Sequence, residues 1–142
     1  MIIAVDFDGT IVEHRYPEIG KEKLFVFETL RALMKQNHQL ILWTIRTGKE
    51  LDDAVEFCRK KGVEFYAINN SYPEEKFDPE SSSRKIQADI YIDDRNVGGL
   101  LGWGEIWHIL NPQETPDFKE EMRNLQRKPG IFNRIINLFT LK

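Results

Sequence analysis

Short apolar runs alternate along this chain with longer segments in which apolar residues recur at helical spacing. Continuous runs rich in β-branched residues predict strands that are buried on both faces of a sheet. Apolar residues at intervals of three and four predict amphipathic helices between those strands. The predicted strands are Met1–Val5, Gln39–Trp43, Glu64–Ile68, Ala88–Ile92 and Ile106–Ile109. The predicted helices are Lys21–Gln36, Lys49–Lys61 and Asp117–Arg127.

This alternation predicts the fold class. Strands that alternate with helices form a parallel sheet covered by helices on both faces. We therefore predict an α/β fold, a three-layer Rossmann-like sandwich around a central, mainly parallel sheet of five strands. The stretch Asn69–Ser83 breaks the pattern because it is polar and contains prolines, so we predict a long loop there. Loops of this length in compact domains are functional or disordered.

A second apolar pattern begins near the C-terminus, after Pro129-Gly130. Apolar residues then recur at helical spacing: Ile131, Phe132, Ile135, Ile136, Leu138 and Phe139. We therefore divide the chain into a core, residues 1–128, and an amphipathic tail, residues 129–142. The apolar face of the tail needs a cover. The commonest cover is the domain's own surface, and the alternative is a partner chain, which would make the protein a homo-oligomer.

Composition narrows the class of protein. The chain has 142 residues, 41% of them hydrophobic, and a formal net charge of -3, which suits one soluble globular domain. The acidic balance argues against a nucleic-acid partner, because such proteins carry a basic excess. The single cysteine, Cys58, cannot form an intrachain disulfide. The apolar start ends at Asp6, too early for a signal peptide, and no run is long enough for a membrane span, so we expect a cytoplasmic protein.

Carboxylates directly follow two of the predicted strands. The sequence Asp6-Phe-Asp-Gly-Thr10 follows the first strand, and Asp93-Asp94 follows the fourth. Ligands of open α/β sheets bind beyond the carboxyl ends of the strands, so neighbouring strands would bring all four carboxylates together. Such a cluster needs protons or a cation, and oxygen ligands favour Mg²⁺. Gly9 permits a tight turn at this point. The alternative is an acidic turn that binds nothing.

Residues suited to an anion lie near the same predicted edge. Thr44 ends the second strand and offers a hydroxyl donor, and Arg46 can add a bidentate clamp. Lys85, just before the fourth strand, can supply a compact positive charge, and Arg84 beside it is the alternative. The histidines lack the spacing of a zinc site and are predicted to be surface or packing residues; they are His14, His38 and His108.

Four motifs follow one another along the chain, each near the end of a predicted strand: Asp6–Thr10, Thr44, Lys85 and Asp93-Asp94. Their order and positions resemble the haloacid-dehalogenase (HAD) superfamily of phosphatases and phosphotransferases. The first motif, Asp6–Thr10, is highly specific for that superfamily, and Ile92-Asp93-Asp94 is a moderately specific variant of its fourth motif. The resemblance spans residues 1–110. Neither gap between the motifs has room for a cap domain, so the chain looks like a small capless member. The stretch Ile92–Asn96 is also similar to polynucleotide-end phosphatases of the superfamily.

The resemblance implies a Mg²⁺-dependent phosphomonoester hydrolase that acts through an aspartyl-phosphate intermediate. It implies that Asp6 attacks phosphorus, and that Asp8 protonates the leaving group and then activates water. It also implies that Mg²⁺ is held by Asp6, by the backbone carbonyl of Asp8, and by Asp93 or Asp94.

For the substrate, a phosphorylated small molecule or macromolecule, the resemblance implies that Thr44 and Lys85 hold the phosphoryl oxygens. Gly9, Thr10 and Arg46 complete the expected phosphate site. Two alternatives stay open. One is a phosphate-binding or scaffold protein that has the fold and little turnover. The other is a nucleotide or polynucleotide-end phosphatase.

Overall fold

The computed structural model describes residues 1–112. Within these residues there are four strands and three helices, and they alternate except that the fourth strand follows the third with no helix between them. The strands are β1 (Ile2–Val5), β2 (Gln39–Leu42), β3 (Ala67–Ile68) and β4 (Ile90–Ile92). The helices are α1 (Val26–Lys35), α2 (Gly48–Lys60) and α3 (Trp103–Leu110). None of these helices is both long enough and apolar enough to cross a membrane.

Residues Met1–Ile106 form one compact unit, and a second unit begins at Trp107. The predicted helix Asp117–Arg127, the predicted core boundary after residue 128 and the amphipathic tail at 129–142 lie outside the described residues.

The four strands form one parallel sheet in the order β3-β2-β1-β4. This is the order of the first four strands of a Rossmann sheet. The prediction of an α/β fold with a parallel sheet is confirmed. β1 pairs with β2 on one side and with β4 on the other, so the strands that precede the two acidic motifs are direct neighbours.

The predicted count of five strands is wrong for the described residues, because the segment predicted as a fifth strand, Ile106–Ile109, lies in helix α3. Read from Trp103, the apolar residues recur at helical spacing, and Trp103 and Ile106 are both buried. The indole N–H of Trp103 donates a hydrogen bond to the backbone carbonyl of Thr10, at 3.0 Å. Helix α3 therefore begins by packing against the turn that follows β1.

Successive side chains of a strand point to opposite faces of the sheet, and both faces are buried. Ala4, Ile41 and Ala67 lie on one face, where Ile86 packs against them. The intervening residues of the two central strands are also almost fully buried; they are Ile3, Val5, Leu40 and Leu42. The apolar runs therefore have the character predicted for strands covered on both faces.

Helix α1 begins five residues later than the predicted start at Lys21. Glu22 instead pairs with Val12 in an antiparallel bridge, and the N–H of Lys23 donates to the carbonyl of Ile11 at 2.9 Å. Phe25 then takes a φ of 63°, which a helix cannot contain. The long loop predicted over Asn69–Ser83 is confirmed, since it holds neither helix nor strand.

Candidate active site

The register of the sheet sets three side chains level at its carboxyl edge. Val5 pairs with Leu42 and with Ile92. The residues that directly follow these three, Asp6 after β1, Trp43 after β2 and Asp93 after β4, are therefore side by side at the edge. The N–H of Asp6 also donates a hydrogen bond to the carbonyl of Ile92, at 3.0 Å. This is the edge at which parallel α/β sheets bind their ligands.

A tight turn after β1 brings Asp6 and Asp8 to the same pocket. The carbonyl of the fully buried Phe7 accepts hydrogen bonds from three successive N–H groups, those of Thr10, Ile11 and Val12. The hydroxyl of Thr10 donates to Asp6 Oδ2 at 3.0 Å and accepts from the N–H of Asp94 at 2.9 Å. Thr10 is fully buried, so it ties the end of β1 to the end of β4 rather than reaching a ligand.

Three of the four carboxylates expected to converge, Asp6, Asp93 and Asp94, form an acidic cluster, whereas Asp8 is not one of its members. One carboxylate oxygen from each lies within 4.8 Å of the others. Among the described residues, Asp94 Oδ1 is buried without a hydrogen-bond partner. A buried carboxylate oxygen without a donor is unfavourable unless a cation satisfies it. The donor set consists of carboxylates, so the cluster suits a hard cation such as Mg²⁺.

The electrostatics of Asp6 reflect this crowding. Its pKa is raised from the ordinary 3.8 to about 6, chiefly because burial disfavours the carboxylate, with a smaller contribution from the charges of Asp93 and Asp94. Hydrogen bonds from the backbone of Phe7 and from the hydroxyl of Thr10 act in the opposite direction. Without a cation, ionisation of Asp6 therefore lowers the free energy of unfolding.

This raised pKa predicts how the stability of the metal-free protein depends on pH. Unfolded Asp6 loses its proton near pH 3.8, and native Asp6 near pH 6. Between these values the native state binds more protons, so the contribution of Asp6 to stability falls as the pH rises and then levels off. In EDTA, the stability advantage of Asp6→Asn over the parent protein should grow from pH 4 to pH 6. Chemical denaturation at each pH measures it, and a constant difference would contradict the raised pKa.

Arg46 was expected to bind a phosphate, but in the structure it binds the carboxylate of Asp8. Its guanidinium makes a bidentate ion pair with Asp8, with Nε 2.6 Å from Oδ2 and Nη2 2.7 Å from Oδ1. It also donates hydrogen bonds to the backbone carbonyls of Pro17, Glu18 and Glu50, at 2.9, 2.8 and 3.5 Å. The side chain is fully buried, and the pKa of Arg46 is raised by the hydrogen bonds to Asp8. Arg46 therefore fixes Asp8 from behind the pocket.

Thr44 and Lys85 are placed differently from each other. Thr44 lines the pocket that holds Asp6 and Asp8, and its hydroxyl oxygen accepts a hydrogen bond from the N–H of Arg46 at 3.3 Å. Lys85 and Arg84 instead line an adjacent cavity. Lys85 Nζ lies 5.3 Å from the ring centroid of Tyr91. The structure thus brings Thr44, and not Lys85, to the carboxylates.

The carboxylate pocket has a volume of about 300 Å³. Four residues that the sequence did not point to line it: the apolar Trp43 and Ile45, and the basic His14 and Arg95. His14 Nε2 lies 3.1 Å from Asp94 Oδ2, and Arg95 is an exposed cation two residues after Asp93. Isolated on an irregular segment, His14 carried no sequence signal. Arg95 could have been found from its position directly after the second acidic pair.

Gly9 lies close to Asp94 of the acidic cluster and to His14 of the carboxylate pocket. Its φ is +95°, and a Cβ at this position would lie 2.6 Å from Asp94 Cγ and 2.6 Å from His14 Nε2. Both the backbone conformation and the space require glycine.

We therefore expect Gly9→Ala to reduce any activity of the site strongly by pushing Asp94 and His14 apart. Gly98→Ala is a matched control, because Gly98 has a similar φ of +92° with no atom within 4 Å of the added Cβ. Both variants carry a similar backbone strain of about 1 kcal/mol. Equal losses of activity in the two variants would show that the close approach at Gly9 is unimportant.

The solved structure of a conserved protein from Bacteroides thetaiotaomicron is similar to this chain. The two share 56% sequence identity and superpose with a TM-score of 0.74. The similarity covers 81% of this chain and 93% of the other. No family model and no curated protein matches the sequence.

Proposed function

We propose that this chain, which belongs to the same protein family as the conserved Bacteroides thetaiotaomicron protein, is a Mg²⁺-dependent phosphomonoester hydrolase of the HAD superfamily. The observation that carries the proposal is the shared pocket at the sheet edge. It joins Asp6 and Asp8, both from the first motif, with Thr44 and with Asp93 from the fourth motif. The resemblance assigns these groups to phosphoryl transfer; Lys85, which it also assigns, lines the adjacent cavity instead.

Asp6 is the nucleophile in this proposal. An Asp6 oxygen bonds to the phosphorus of the substrate while the ester P–O bond breaks. The leaving oxygen takes a proton from Asp8, which enters this step protonated and becomes the carboxylate that pairs with Arg46. Asp8 then takes a proton from water as the water oxygen attacks the phosphorus of the aspartyl-phosphate. The P–O bond to Asp6 breaks, and inorganic phosphate and the original carboxylate are released. Splitting the transfer in this way replaces one difficult displacement with two easier ones.

The other residues position these two carboxylates. Thr10 holds Asp6 by its hydroxyl hydrogen bond, and Arg46 holds Asp8 by two. Both supporting side chains are fully buried, so each carboxylate is kept in one orientation. Thr44 can donate its hydroxyl hydrogen to a phosphoryl oxygen. Positioning of this kind accounts for most of the catalysis of phosphoryl transfer.

The acidic cluster fits a divalent cation. Asp6 with Asp93 or Asp94 would hold Mg²⁺, and the unpaired Oδ1 of Asp94 supports its inclusion. When bound, Mg²⁺ offsets the charge of the carboxylates and of the phosphoryl group, which otherwise repel each other.

The test is hydrolysis of p-nitrophenyl phosphate by the full chain. We expect EDTA to remove the activity and excess Mg²⁺ to restore it. Asp94→Asn should raise the Mg²⁺ concentration needed for half-maximal rate by about tenfold or more. Turnover that is unchanged in EDTA would contradict the metal site. Tight binding of inorganic phosphate with no hydrolysis of any phosphomonoester would favour the alternative, a phosphate-binding protein.

A further inference from the structure

A second cavity adjoins the carboxylate pocket. Its volume is about 570 Å³, within the range of small-molecule sites. The two cavities share Trp43 and Thr44. Because Thr44 lies beside the proposed phosphoryl position, a group esterified to that phosphoryl can extend past Thr44 into the second cavity. The second cavity is therefore placed to receive the leaving group.

We propose that this leaving group is a nucleoside, so that the substrates are nucleoside monophosphates. The inference rests on the proposed phosphatase function and adds a substrate class to it. A phosphomonoester on a nucleoside occurs both in free nucleotides and at the ends of nucleic acids. The net charge of -3 favours free nucleotides as the substrates, because nucleic acids bind to basic proteins.

Flat side chains line the second cavity. Trp43 forms the wall shared with the carboxylate pocket. On the loop that follows β3, Phe77 is 50% exposed, and the guanidinium carbon of Arg84 lies 5.6 Å from its ring centroid. Nucleobases stack on aromatic rings and on guanidinium planes. A sugar without a base has no flat face to match these groups.

Two amides in the cavity can bind the edge of a base. Asn69 uses its Oδ1 to accept the N–H of Thr44 at 2.8 Å, which leaves its NH₂ group as a donor. Asn70 uses its Nδ2 to donate to the carbonyl of Glu75 at 3.2 Å, which leaves its Oδ1 as an acceptor. A neighbouring donor and acceptor complement the mixed donor and acceptor pattern of nucleobase edges.

The charge of the cavity suits an anionic substrate. Arg84 and Lys85 line it together with one carboxylate, that of Glu75. The Glu75 carboxylate accepts a hydrogen bond from the N–H of Ser71, so it faces its own loop. The two cations can attract a phosphate dianion towards an edge that is otherwise crowded with carboxylates.

The first test compares AMP, GMP, CMP and UMP with ribose 5-phosphate, which lacks only the base. We expect at least one nucleotide to have a kcat/KM about tenfold or more above that of ribose 5-phosphate. Phe77→Ala should lower this ratio by raising KM for the nucleotide. Tyr72→Ala is the matched control, because Tyr72 is an aromatic residue on the same loop, is 49% exposed and does not line the cavity. In Tyr72→Ala, the ratio of kcat/KM for the nucleotide to kcat/KM for ribose 5-phosphate should stay at the parent value.

The second test measures binding of the free nucleosides and of ribose to Asp6→Asn by calorimetry. Nucleoside binding that Phe77→Ala weakens supports the inference even if no nucleotide is hydrolysed, in which case only the proposed phosphatase function has failed. Hydrolysis of ribose 5-phosphate as efficient as that of every nucleotide, with no nucleoside bound, would overturn the inference and leave the phosphatase function standing.

Discussion

Replacing Asp6 with asparagine should abolish phosphomonoester hydrolysis, lowering kcat by at least about 1,000-fold. The amide has nearly the same shape as the carboxylate and can still accept the hydrogen bond from Thr10. It cannot form the bond to phosphorus, because an amide oxygen is a poor nucleophile. The fold should be kept, and in EDTA at pH 7 the variant should be at least as stable as the parent, because it lacks a buried charge.

Asp52→Asn is the matched control for this loss. Asp52 is an exposed carboxylate on α2 and does not line the carboxylate pocket. Its replacement makes the same change in charge with no expected effect on kcat. Near-parental turnover by Asp6→Asn, measured on a substrate that the parent protein hydrolyses, would show that another group is the nucleophile.

The sequence predicted the sheet better than it predicted the ends of the elements. β1 and β2 match the predicted strands to within one residue, because continuous apolar runs buried on both faces have few other structures open to them. Helix α1 was predicted to begin at Lys21, but the backbone bonds of Glu22 and Lys23 to the turn after β1 hold that segment extended. These bonds join residues that are distant along the chain, and periodicity carries no information about them.

The error at Ile106–Ile109 has a local cause. Within this short apolar run, helical and extended periods cannot be distinguished. The helical period becomes visible only when Trp103 is included, and Trp103 is separated from the run by Gly104 and Glu105. Burial of Trp103 on the same face as Ile106 stabilises the helical structure of this segment, α3.

The candidate site was predictable where it depends on strand ends. Asp6 converges with Asp93 and Asp94 because β1 lies beside β4. The sequence predicts this convergence on the condition that the two strands are neighbours, and in the structure they are. The partner of Asp8 was not predictable. Arg46 lies 38 residues away and was assigned to a phosphate because it follows a strand end. Only the fold shows that its guanidinium turns inward.

The ion pair between Arg46 and Asp8 is expected to matter most for stability. Arg46 is fully buried, and the side chain of Asp8 is 7% exposed. The guanidinium carbon also lies near two rings, 4.9 Å from the centroid of Phe7 and 5.3 Å from that of Tyr16. Removing one member of a buried pair leaves the other charge without compensation. Arg46→Met should therefore lower the free energy of unfolding by about 3–5 kcal/mol.

Two further variants separate charge from packing. Arg59 makes a similar two-pronged contact with Glu56, at 2.8 and 3.0 Å, but this pair is exposed on α2. Arg59→Met should change stability little, since solvent already screens that pair. The double variant Asp8→Asn/Arg46→Met should recover part of the stability lost in Arg46→Met, because it also removes the stranded carboxylate.

Arg46→Lys tests the positioning role. Lysine keeps the positive charge but cannot make the bidentate contact, so it should restore stability better than it restores kcat. Urea denaturation and steady-state kinetics on the four variants measure both quantities. If Arg46→Met destabilises the protein no more than Arg59→Met does, the buried pair contributes nothing to the fold. If Arg46→Lys hydrolyses phosphomonoesters at the parental rate, the bidentate geometry is not needed to hold Asp8 for proton transfer.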